Sequence, residues 1–341
     1  DHTIGRLNVG RVEALSRERF EVVVLSVGQH RDGLGERFAN AAEQFVRVPR
    51  DVAAARELIA EQELDLLVFT DVGMDALTYT LAFSRMAPVQ CTTWGHPVTS
   101  GSPHMDAFIS SELLEVEGAD GHYTERLLRP PTLCTLYEGP AEQIEPVSRP
   151  ELGVGENANL YVCPQTLFKF HPEFDPILAE ILDEDPNGEL VLIRGRADEW
   201  TAMLDQRLRL NVPDHDRIRW VDPLPRPRFL GLLAAADVLL DTIHFGGGNT
   251  TYEALALGKP VVTLPGQLLR SRITRALYAK AGYMDLVAGD AEEYVEVAVE
   301  LGTDHGRRAA VGEELTEACG MLFDDEAEVR DLEEVLAGLV A

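Results

Sequence analysis

Residues 238–266, VLLDTIHFGGGNTTYEALALGKPVVTLPG, set an apolar run, three glycines, Asn249-Thr250-Thr251 and Glu253 in close order. This is the order of a strand, a loop, a helix start and a second strand. Gly246, Gly247 and Gly248 give a backbone without Cβ that another molecule can approach closely. Asn249, Thr250 and Thr251 then supply an N-cap and hydroxyls. A helix start offers amide N–H groups and partial positive charge, which suit a phosphate. Glu253 lies one turn on, where a carboxylate can accept two hydrogen bonds from a ribose diol. The spacing points to a nucleotide diphosphate. The competing reading is a glycine-softened joint between strand and helix.

Other loops carry candidate chemistry. CPQTLFKFHP (163–172) leaves a strand and contains Lys169; the only other lysines are Lys259 and Lys280. A lysine there can neutralise charge on a departing diphosphate. VDPLPRPRFLGLLAAADV (221–238) leaves another strand and carries Leu224, Arg226 at a helix start and Phe229 one turn in. Phe229 can stack on a base, and backbone near Leu224 can read a base edge. Phe229 as ordinary core and Arg226 as a solvated helix residue fit the spacing equally. TTWGHPVTSGSPHMD (92–106) is a tight loop through Gly95, Pro97, Gly101 and Pro103, with His96 and His104 as polar tips. His2, in DHTIG, stands at a helix start. Asp183-Glu184-Asp185 has the form of a metal-binding triplet. It precedes the turn sequence Pro186-Asn187-Gly188, so it reads as a solvated helix end. No His, Cys and carboxylate spacing reads as a metal site, and no metal or cofactor is expected.

These loops need elements to position them. In the first half, strands are expected at 20–26, 45–48, 64–71, 88–95, 107–111 and 132–137, with helices at 1–15, 34–44, 51–62 and 75–86. In the second half, strands are expected at 159–165, 189–195, 217–222, 238–243, 260–266 and, weakly, 286–288. Helices are expected at 172–183, 199–210, 226–236, 250–257, 270–281, 290–302, 305–320 and 325–339. Alternation of this kind means parallel sheets with helices on both faces. The stretch 138–157 is rich in Pro, Gly and Glu and reads as a linker between domains 1–145 and 146–341. Two doubly wound halves put ligands in the cleft between them, outside the carboxyl ends of the strands. The chain opens on a helix without the strand that should precede it, so a first N-terminal strand is expected to be missing.

The chain of 341 residues has a net charge of −28 and is 45% hydrophobic. That balance excludes duplex nucleic acid as the main partner. No apolar run is long enough to span a membrane, and none reads as a signal peptide. Cys91, Cys134, Cys163 and Cys319 lack CxxC spacing, which fits a reducing cytoplasm. The acidic, lysine-poor composition is similar to that of salt-adapted proteins.

CPQTLFKFHP, LPRPRFLGLLAAADVLLDT, GGGNTTYEALALGKPVVTLPG and APVQCTTWGHPVTSGSPHMD together resemble the catalytic region of glycosyltransferase family 41. That family includes the protein O-GlcNAc transferases, the SPINDLY-type enzymes and the adhesin N-glucosyltransferases. The resemblance covers nearly all of the chain. It implies the GT-B fold, two Rossmann-like domains facing each other across a cleft. It also implies metal-independent, inverting transfer of a sugar, GlcNAc from UDP-GlcNAc, onto protein Ser/Thr. Glucosyl or fucosyl transfer from UDP-Glc or GDP-Fuc, epimerisation of UDP-GlcNAc and a non-catalytic sugar-nucleotide module are the alternatives. Residue by residue, it implies that Lys169 contacts the donor diphosphate and that Gln165 and Thr166 lie by the phosphates. Gly247, Gly248, Asn249, Thr250 and Thr251 match the phosphate-binding loop and helix start, and Glu253 the ribose holder. Leu224, Arg226 and Phe229 match the base site, Phe229 standing where animal enzymes often have histidine. Gly95, His96 and Pro97 match the loop beside the donor sugar, His96 replacing a frequent tyrosine. His2 matches a cleft histidine once considered as a base. The tetratricopeptide repeats of many relatives are absent from these residues.

Overall fold

His2 opens the first helix, its Nδ1 accepting the amide of Ile4 at 3.3 Å. The computed structural model describes residues 2–28, 32–139 and 143–341; Asp1 of DHTIG and residues 140–142 of the linker stretch lie outside them. The chain divides into two units, Asp1–Glu138 with Phe323–Ala341, and Gly139–Leu322.

The first unit runs α1 (Thr3–Ala14), β1 (Val23–Val27), α2 (Gly33–Ala41), β2 (Gln44–Val48), α3 (Val52–Ala60), β3 (Leu66–Phe69), α4 (Ala76–Leu81), β4 (Val89–Thr93), β5 (Ala107–Ile109) and β6 (Arg126–Leu128). Aspartates start three of its helices: Asp32, Asp51 and Asp75 accept the amides of Gly35, Ala54 and Leu77 at 2.8–2.9 Å. All strand pairs are parallel, in two sheets, β1-β2 and β3-β4-β5-β6. β1 and β3 border a groove of about 1040 Å³, lined among others by Val23, Leu25, Leu66 and Val68. Each residue of β1 is therefore only half-buried. Helices α3 and α4 cover β3 through Ile59, Leu67, Phe69, Leu77 and Leu81.

The second unit runs β7 (Asn159–Cys163), α5 (Phe174–Glu184), β8 (Gly188–Ile193), α6 (Asp198–Asn211), β9 (Ile218–Val221), α7 (Arg226–Ala235), β10 (Val238–Leu240), α8 (Asn249–Ala256), β11 (Val261–Val262), α9 (Ile273–Ala281), α10 (Ala291–Thr303) and α11 (His305–Ala318). Its parallel sheet has the order β11-β10-β7-β8-β9. β7 is buried at every position, as a central strand covered on both faces must be. From β7 the chain winds outward to β9, then returns to β10 on the other side. The loops leaving β7 and β10 thus flank the point where winding reverses, the place where open α/β sheets bind ligands.

Five expectations need correction. Helix α12 (Ala327–Val340) was assigned by sequence to domain 146–341, yet belongs to the first unit. Its Leu332 and Leu336 pack with Cys91, Ala107, Ile109 and Cys134. The unit boundary likewise falls at Glu138/Gly139, not 145/146. Residues 132–137 form no strand, because Cys134 takes a left-handed φ of 54° that breaks a ladder. Arg11, Trp94 and Thr135 side chains bond this segment to α1 and to the Trp94 loop instead. The sheet's edge is β6, three residues too short to show a pattern. The stretch 286–288 keeps one bridge, Thr263 to Val287. Asp185 is not solvated. It is buried and accepts bonds from Asn159 Nδ2 and Tyr161 Oη, both at 2.8 Å.

Candidate functional site

β10 ends at Leu240, and the next residue, Asp241, lies buried beneath the glycine loop. Its Oδ1 accepts the Gly247 amide at 2.6 Å, while its Oδ2 accepts Thr263 Oγ1 at 2.9 Å and Thr274 Oγ1 at 2.7 Å. A buried carboxylate is expensive unless so satisfied, and here satisfying it fixes the loop. Burial pushes its carboxyl pKa up, and the donated bonds and Lys169 oppose that. Gly247 has no room for a side chain: a Cβ would meet Thr251 Oγ1, Gln165 Nε2 and Thr250 Oγ1 at 2.6–2.8 Å. The N-cap of α8 is Gly248, at φ −123° and ψ −93°, with no side-chain cap. Asn249, Thr250 and Thr251 are thus the first helical residues rather than the cap, which leaves the Thr250 hydroxyl to the loop beside it.

The loop after β7 meets this one. Gln165 Nε2 donates to Thr250 Oγ1 at 3.0 Å, and its Oε1 accepts Lys169 Nζ at 2.9 Å. Lys169 Nζ also donates to the Gly246 carbonyl at 2.6 Å and sits 4.5 Å from the centre of the Phe245 ring. Burial pushes the Lys169 pKa down to about 8, with Asp241 pulling it back up. Thr251 Oγ1 bonds Thr274 Oγ1 at 3.0 Å. Thr166 is exposed, at the start of the single turn Leu167–Lys169.

A second group lies where α7 meets α8. Arg226 Nη1 pairs with Glu253 Oε1 at 2.5 Å, and Glu253 is buried. Arg226 is therefore not a freely solvated helix residue. Phe229 and Leu224 are half-buried, so Phe229 is not closed core.

In the first unit, Gly95, His96 and Pro97 follow β4. A Cβ on Gly95 would meet the Thr70 carbonyl at 2.1 Å, and the His96 ring packs over Gly73. Burial raises the pKa of the Asp71 carboxyl; the Thr78 hydroxyl and the nearby His96 and His2 lower it again. His104 lies further along the loop, where its carbonyl accepts Gln90 Nε2 at 2.9 Å.

The sequence reading missed Asp241, Thr263 and Thr274. Their signal was an aspartate closing an apolar strand directly before glycines, which also reads as a plain turn residue.

Residues 131–328 match the family model Glycosyl transferase family 41. The chain belongs to glycosyltransferase family 41. Within that family it is 29% identical, over 305 residues, to the Arabidopsis thaliana protein SPINDLY, named a probable UDP-N-acetylglucosamine-peptide N-acetylglucosaminyltransferase. The match covers 84% of this chain and 32% of that one. The family 41 chain thus spans about a third of the length of the curated relatives it matches. Among solved structures, it is similar to a lysine-to-methionine variant of the Thermobaculum terrenum O-GlcNAc transferase. The TM-score is 0.87 at 27% identity, over 99% of this chain and 65% of that one. A sucrose-phosphate synthase from Thermosynechococcus elongatus shares the fold alone, with a TM-score of 0.62 at 15% identity, over 96% of this chain and 91% of that one. The fold class is α/β, of the GT-B type. Among the described residues no helix is long and apolar enough to cross a membrane.

Proposed function

We propose that this chain is an inverting, metal-independent transferase that moves GlcNAc from UDP-GlcNAc onto serine or threonine of a protein. The observation that carries the reading is Lys169, locked onto Gly246 and Gln165 beside the glycine loop and the start of α8. A lysine ammonium has three donors. Two are used within the protein, and the third remains for a β-phosphate oxygen. The activity in the Arabidopsis relative's name supports the donor and a peptide acceptor. Glu253, with Arg226 on one oxygen, would hold the ribose; Phe229 would stack on the uracil. Four buried, unpaired cysteines support a reducing, cytoplasmic setting.

In the reaction, the acceptor hydroxyl oxygen attacks the anomeric carbon opposite the leaving group, the anomeric carbon–oxygen bond to the β-phosphate breaks, and the hydroxyl proton passes to solvent or to the departing phosphate. The electron pair stays on the phosphate, where Lys169 and the α8 amides meet the growing charge. Loss of Lys169 should cost ~2–4 kcal/mol of barrier. The test is calorimetric titration of UDP and GDP in EDTA, then with Mg²⁺, on wild type and Lys169→Ala. Metal-independent UDP binding, weakened by the substitution, is expected, as is loss of sugar transfer by the variant. Preference for GDP, or near-normal turnover by Lys169→Ala, would overturn the reading.

A further inference from the structure

Two short runs meet beside Lys169. One is Lys169–Glu173, which carries the lysine; the other is His244–Gly246, whose Gly246 carbonyl accepts its Nζ at 2.6 Å. Each also carries imidazole or carboxylate groups that the donor site does not use. His171, Glu173 and His244 come together there, with one ligand atom from each lying within 4.8 Å of the others. His244 Nε2 is 2.8 Å from Glu173 Oε2. The two imidazoles meet edge to face, with centroids 4.6 Å apart and planes at 88°. All three residues are exposed, so an ion can reach them without opening the core. His244 adopts φ 68°, a left-handed backbone that a side-chain-bearing residue rarely takes. Strain of that kind is retained where the surroundings demand it, and here it presents this ring beside Glu173.

We infer that His171, Glu173 and His244 form a binding site for one divalent transition-metal ion of the Zn²⁺, Co²⁺ or Ni²⁺ type. Two imidazoles and a carboxylate favour such ions, whereas Mg²⁺ and Ca²⁺ prefer all-oxygen shells. Three protein ligands leave at least one coordination position to water or an exchangeable ligand. The ion would replace the His244–Glu173 hydrogen bond with metal–ligand bonds and tie the two runs together. His244 neighbours Phe245, whose ring lies over the Lys169 ammonium, and Lys169 is two residues from His171. The site is a clamp on the lysine's support and takes no part in the proposed transfer. Sequence spacing hid it, because His244 arrives from a loop far along the chain.

The test needs no nucleotide and no acceptor, so it stands apart from the proposed activity. Tag-free, chelator-stripped full chain is titrated with Co²⁺, read by visible absorption, and with Zn²⁺ by competition. One equivalent should bind with the d–d spectrum of a mixed nitrogen–oxygen shell, and Mg²⁺ should not displace it. Loss of an outer-sphere partner already costs about 10–100-fold in metal affinity. His171→Ala, Glu173→Gln and His244→Asn should each cost at least that much. Asparagine tolerates the left-handed backbone, so His244→Asn keeps the loop folded. Absence of binding by wild type, or binding that these three variants leave intact, would overturn the inference.

Discussion

At the scale of single residues, the site rests on one buried charge holding another. Asp241 fixes the Gly247 amide and supplies the field that keeps Lys169 protonated against its own burial. With a free-state pKa of about 8, Lys169 is still mostly charged at neutral pH. A bound diphosphate must raise that value. The binding energy is then fully present below about pH 8 and is lost as pH rises through the higher value of the complex. UDP affinity should accordingly fall above pH 8, by up to about tenfold per unit. UDP itself is fully ionised there, since its last phosphate proton leaves near pH ~6. Calorimetry from pH 6.5 to 9.5 checks this, with a flat profile expected for Lys169→Ala. Asp241→Asn provides the complementary test. An amide keeps the shape but loses the charge and one acceptor, leaving a threonine hydroxyl or the Gly247 amide unsatisfied at a cost of ~1–3 kcal/mol. Its melting temperature should drop. Its UDP pH profile should also move to lower pH, which a purely structural role would not produce. An unmoved profile would show that Asp241 does not tune the lysine.

At the scale of elements, the alternation of strands and helices was legible because parallel strands buried on both faces read as unbroken apolar runs. β7 and β8 are the clear cases. Lys169 was legible for another reason, being one of few lysines and set in a strand-end loop. What could not be read was pairing at long range. The helix at 327–340 shows an apolar face, but a periodic pattern does not say what that face meets. The structure folds it onto the first unit, with Leu332 and Leu336 among Cys91, Ala107 and Ile109. The polar side is also tied, since Ser16 N donates to Glu333 at 2.7 Å and Arg19 bonds Glu334 at the same distance. The 132–137 segment failed for a related reason, because side-chain bonds from α1 and Trp94 replace a ladder there, while β6 pairs with β5 but is too short to show a pattern. Leu332→Ala should thus lower the stability of the first unit by ~2–5 kcal/mol. UDP binding should persist, since every residue proposed to contact UDP lies in Gly139–Leu322. Denaturant unfolding followed beside UDP titration checks both parts. An unchanged unfolding midpoint would mean the helix is dispensable to that core.

At the scale of the whole molecule, charge decides the working conditions. Fifty-eight acidic residues face 30 basic ones, leaving −28. Ion pairs recover part of this, between Arg85 and Asp106 at exposed positions and between Arg37 and Glu138 at half-buried ones that solvent still reaches. Pairs of that kind contribute about 0–1 kcal/mol each. The excess charge repels itself over distances set by screening. At ~10 mM salt the screening length is about 30 Å, so carboxylates interact across much of a domain; at ~1 M it is about 3 Å. Salt therefore weakens a few modest attractions and a much larger number of repulsions, and repulsion should dominate. The melting temperature should climb steadily from ~10 mM to ~1 M KCl. Screening and exclusion of salt from apolar surface can be separated by ion type. Chloride gives mainly the former, while sulfate adds the latter. If chloride accounts for most of the rise, and the rise shrinks as pH falls toward the carboxylate range, self-repulsion is its source. A melting temperature that is flat or falling in KCl would mean that the ion pairs already balance the acidic surface. The composition would then carry no dependence on salt.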